Sequence, residues 1–63
     1  MNWVRRGARI APHPDGRLCE FRFTRQDGKG IVEKVVSFTR TGLPGLTTDD
    51  YDRADRELRK KAG

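Results

Sequence analysis

Apolar and polar residues alternate most clearly around the middle of the chain. Cys19, Phe21 and Phe23 fall on one side of an extended segment, and Glu20, Arg22 and Thr24 on the other. That period of two is the mark of a strand with one buried face. Two further segments are rich in β-branched or apolar residues, and short turn signals separate all three. His13-Pro14-Asp15-Gly16-Arg17 places Pro where a turn needs a fixed φ, then Asp and Gly where the chain reverses. Gln26-Asp27-Gly28-Lys29 carries the Asp-Gly pair of a tight hairpin. The pattern predicts strands over about 3–11, 18–25 and 31–39, and links this short predict an antiparallel meander.

For the first strand the alternation assigns Val4, Ala8 and Ile10 inward and Arg5, Gly7 and Arg9 outward. In the third, Val32, Val36 and Phe38 compete with Ile31 and Val35; the first set is expected inward, and a bulge would overturn that choice. Residues 40–46 read as a connector, because Gly42, Pro44 and Gly45 do not continue a strand. A helix follows over about 48–61. Thr47 is its expected N-cap, with Asp50 at the third position as in a capping box and Leu46 and Tyr51 at staple positions. Acids lead and bases close the segment, which suits the helix dipole. Tyr51, Ala54 and Leu58 form a narrow apolar stripe to lie on the sheet. The expected fold is therefore α+β, a three-stranded antiparallel sheet (meander) with one C-terminal helix packed on one face, all in one small domain.

Composition narrows the chemistry. Only 33% of the 63 residues are hydrophobic and 37% are charged, so the core must be thin. The single cysteine, Cys19, allows no internal disulfide, and no apolar run approaches the roughly 20 residues of a membrane helix. A cytoplasmic protein is the expectation. No catalytic residues are expected, since the one histidine, His13, sits between two prolines in a turn and Cys19 belongs to the core face. A zinc site needs about four ligands and only these two residues are of the Cys/His type, so no metal and no cofactor are expected. The chain reads as a binder and not as an enzyme.

Net charge is +5, and its location matters more than its size. From Thr47 onward five acids offset five bases, in an i,i+4 order that supports a helix: Asp49–Arg53, Asp52–Arg56, Asp55–Arg59 and Glu57–Lys61. The whole excess lies before Thr47, where nine bases face four acids. Arg5, Arg9 and Arg22 are expected to share the outer sheet face, with Arg17, Arg25 and Lys29 at the two turns. Such a ribbon suits the DNA major groove, and arginine suits guanine and phosphate. Trp3, on the side of Arg5, is expected either to stack on a base or partner surface or to cap the end of the core.

The order of elements, with Pro14-Asp15-Gly16-Arg17, Phe21 and Phe23, Asp27-Gly28-Lys29, Phe38-Thr39, and Ala54 with Leu58, resembles the arm-type DNA-binding domain of phage and transposon tyrosine integrases. Plant GCC-box-binding domains are similar in layout. The resemblance implies that the sheet, through Arg5, Arg9 and Arg22, enters the major groove. DNA is thus the favoured partner. The alternative is a protein partner. Small arginine-rich chains of this kind are similar in style to phage early regulators that attach to a host protein such as RNA polymerase and alter transcription. Trp3, Arg5, Leu43 and Leu46 would then be the contact points, with the first strand as an edge that extends a partner's sheet.

Overall fold

The computed structural model describes residues 2–42 and 45–61, the side chain of Lys61 excepted. Three strands, β1 (Val4–His13), β2 (Gly16–Asp27) and β3 (Gly30–Arg40), form one antiparallel sheet in the order β1-β2-β3, followed by the helix α1 (Thr48–Lys61). This is the expected α+β meander. The strands run further into the turns than alternation alone indicates, because each turn is only two residues long: Pro14-Asp15 and Gly28-Lys29. In the first turn the Asp15 N–H donates to His13 Nδ1 at 3.1 Å. Gly16 has φ of 136°, and a Cβ there would lie 2.5 Å from the Arg40 carbonyl oxygen, so the end of β3 closes over a position that only glycine fits.

Residues paired across antiparallel strands point to the same side, and the register therefore sorts the two faces. Cys19, Phe21 and Phe23 are buried on the helix-bearing face, opposite Phe38, Val36 and Lys34. Ala54 and Leu58 complete the core from α1, and Trp3, Leu46 and Tyr51 pack against its rim. The Phe21 ring stacks on Phe38, with centroids 5.8 Å apart, and meets Tyr51 edge-on at 5.2 Å. The expected inward set of β3 is correct: Val36 and Phe38 are buried and Val32 half-buried, while Ile31 and Val35 are exposed.

The first strand departs from expectation. Arg5 pairs with Phe23 and Gly7 with Arg22, so Arg6 is an extra residue in a bulge. Beyond the bulge Ala8 and Ile10 keep the helix-side orientation, but before it the parity inverts. Val4 turns to the open face, 47% exposed, and Arg5 turns toward the helix. Even Ala8 and Ile10 stay exposed, because α1 packs against β3 and leaves the β1 side of that face uncovered.

The molecule is a rod of 40 × 18 × 17 Å. A 12-residue strand spans about 40 Å and a 14-residue helix about 21 Å. The helix begins at the β1–β2 turn end, and Leu58 and Arg59 lie beside Trp3 and Phe23. The tip of the β2–β3 hairpin therefore projects past the helix, and Arg25 to Ile31 are all exposed.

Candidate nucleic-acid interface

The bases expected to line one surface are dispersed by the fold into three settings. At the β1–β2 turn end, Arg17 and Arg40 are direct cross-strand neighbours on the helix face. Like charges so placed repel unless an anion lies between them. Asp50, fully buried in the first turn of α1, is that anion. Arg17 Nη2 donates to its Oδ2 at 3.1 Å and Arg40 Nη1 to its Oδ1 at 2.5 Å. The capping box is present as well: Thr47 N–H donates to Asp50 Oδ2 at 3.0 Å, and Asp50 N–H to Thr47 Oγ1 at 3.3 Å. Burial pushes the Asp50 carboxyl up, but the Thr47 hydrogen bonds and the Arg40 guanidinium outweigh it and hold the group below the ordinary carboxylate range. The hydrogen bond to Asp50 correspondingly raises Arg40, against the opposing effect of burial. Arg17 is not an exposed turn residue. Its side chain is 8% exposed, and Nε and Nη1 make no hydrogen bond.

On the middle of the open face, Arg9 and Arg22 do stand side by side as expected, but each has an acid beside it. Arg9 Nη2 lies 2.6 Å from Glu20 Oε1, and Arg22 Nε 3.7 Å from Glu33 Oε2. Arg5 does not join them, since the bulge carries it to the other face. The expected Arg5–Arg9–Arg22 row is therefore not a single surface.

The third setting runs from the middle of the rod toward the hairpin end. Arg5 Cζ lies 4.4 Å from the centre of the Tyr51 ring, and Arg25 Cζ 5.0 Å from that of Trp3, with Lys34 Nζ at 6.0 Å. Arg6 Nε donates to Thr24 Oγ1 at 3.1 Å, and Lys29 stands exposed in the hairpin turn. Among the described residues, none of these five bases has a carboxylate within 4 Å, whereas Arg9, Arg17, Arg22 and Arg40 all do. A cleft of about 540 Å³ opens beside them, lined by Trp3, Arg5, Phe23 and Leu58 and by Asp55 and Arg59 of the helix. Trp3 is half-buried at the rim of the core, the capping role and not the free stacking one.

Two members of this cluster, Arg6 and Lys34, lie outside the expected site. Gly7 is the signal for the first, since an isolated glycine within a strand marks a bulge. The signal for the second is its register opposite Phe23. Of the expected protein-contact residues, Leu46 is partly buried against the core and Leu43 lies outside the described residues. The helix pairs Asp49–Arg53, Asp52–Arg56 and Asp55–Arg59 are not closed within 4 Å; Asp49 approaches Arg40 at 4.0 Å, and Arg53 lies over Phe38 at 4.2 Å. Among the described residues no group of His, Cys, Asp and Glu is arranged to hold a metal, and no helix is long and apolar enough to cross a membrane. The chain matches no protein-family model, no curated protein and no solved structure.

Proposed function

We propose that this chain is a small non-enzymatic nucleic-acid-binding module that grips the phosphate backbone of DNA with the Trp3 end of the rod. One observation carries the reading: of the nine bases before Thr47, the five without a carboxylate within 4 Å are Arg5, Arg6, Arg25, Lys29 and Lys34, and three of them lie over aromatic rings. A ring orients a cation through its quadrupole without neutralising it, so the full charge remains for an anion. Arg5, Arg6, Arg25, Lys29 and Lys34 form the contact set, and Trp3 and Tyr51 position three of them. This differs from insertion of the open sheet face, where Glu20 and Glu33 offset Arg9 and Arg22.

The test is titration of a labelled duplex at several salt concentrations. Reversing Arg5 or Arg25 to Glu should weaken binding by roughly tenfold or more and reduce the salt slope by about 0.9 for each phosphate no longer engaged. Reversing Arg9 or Arg22 should change affinity by less than about threefold, since an acid already offsets each. Equal losses from both sets would overturn the assignment of the surface, and no binding at low salt would overturn the reading itself.

A further inference from the structure

The two edges of the sheet differ in a way that points to a partner. The β1 edge is defended. It carries a bulge at Arg6, the charges of Arg5, Arg6 and Arg9, and Pro12, which has no N–H to offer. The β3 edge has neither the bulge nor the proline, and its central charges, Glu33 and Lys34, are of opposite sign. It runs 11 residues in unbroken register with β2, contains no proline, and exposes Ile31 (70%) and Val35 (53%) on the open face. Nothing among the described residues pairs with it.

We propose that β3 pairs antiparallel with β3 of a second copy across a two-fold axis at Val35, joining two sheets into one of six strands. Opposed residues must share a face, which restricts the axis to a residue position. An axis at Glu33 opposes two glutamates and one at Lys34 opposes two lysines, both unfavourable. An axis at Val35 opposes the two exposed valines, with Glu33 against Ser37 and Ile31 against Thr39 on the open face. On the helix face it sets Lys34 against Val36 and Val32 against Phe38, and no like charges meet.

Trp3, Arg5 and Arg6, on the β1 side, remain on the outer rims. The inference is independent of nucleic-acid binding.

Sedimentation equilibrium of the full chain, without nucleic acid, from micromolar to millimolar concentration should show a monomer–dimer equilibrium. Val35→Lys should raise the dimer dissociation constant more than tenfold with the circular dichroism spectrum unchanged, because position 35 is exposed in the monomer. Under mild oxidation Val35→Cys should cross-link readily, since residues opposed at the axis have Cβ atoms about 4.5–5.5 Å apart. Glu33→Cys, offset from its own copy by four residues or about 14 Å along the strands, should not. A monomer throughout the range would overturn the proposal. So would a dimer indifferent to Val35→Lys, or equal cross-linking of the two cysteine variants.

Discussion

At one end of the rod Arg17 and Arg40 share the buried carboxylate of Asp50, whereas Arg5 lies over the ring of Tyr51 in the middle of the rod and Arg25 over that of Trp3 toward the hairpin end. The same side chain is structural in the first setting and available in the second. At the Asp50 end, the guanidinium groups tie the start of β2 and the end of β3 to the start of the helix, and their charge is neutralised inside the protein. At the Trp3 end, the rings fix position and leave charge outward. A sequence with nine bases before Thr47 thus presents five without an acid partner, spread from the middle of the rod to the hairpin tip.

The sharpest way to break this contrast is to remove the shared anion. Asp50→Ala leaves Arg17 buried without its counter-charge and deletes half of the capping box. The expected loss is about 3–5 kcal/mol. Domains of this size hold only about 3–9 kcal/mol in total, so urea unfolding should show a variant near or beyond its limit of stability. An unchanged midpoint would show that Asp50 does not hold the helix to the sheet.

Acid offers a gentler version of the same perturbation. The folded-state pKa of Asp50 is depressed below the unfolded value of about 3.9. Its stabilisation is therefore fully present above that value and is lost as pH falls through the folded pKa. Thermal melts of the parent should show this contribution constant above about pH 5 and falling below about pH 4, and Asp50→Asn should remove that part of the acid dependence.

The smallest effect is expected at Arg5. Arg5→Ala removes one exposed cation from one ring, about 0.5–1 kcal/mol at most, and the melt should move little. The same substitution should weaken duplex binding several-fold, so stability and affinity separate at Arg5. A large loss of stability from Arg5→Ala would instead make the Trp3 end a structural site like the other.

The fold is legible in the sequence because its signals are local. Two tight turns, the alternation of Cys19, Phe21 and Phe23, and the Thr47–Asp50 cap each lie within a few residues. The start of the first strand is not, because a one-residue bulge inverts every side chain before it and alternation by itself contains no marker of the shift. The candidate site is less legible still. Arg17 lies 33 residues from Asp50, and nothing near either one indicates that they meet. Arg9 and Arg22 do stand on the open face as alternation predicts, but their neutralisation depends on cross-strand register with Glu20 and Glu33. Capping motifs reveal a hydrogen bond, whereas the environment of a charge is set by tertiary pairing.

The projecting hairpin divides the rod into regions of unequal permanence. Beyond Phe23 the ribbon has no helix above it, and only cross-strand bonds and a few side chains hold Arg25 to Ile31 in place. Opening it locally therefore exposes little apolar surface and should cost less than unfolding the core. Arg25 and Lys29 sit on this projecting tip, so any local opening there displaces their charges relative to the core.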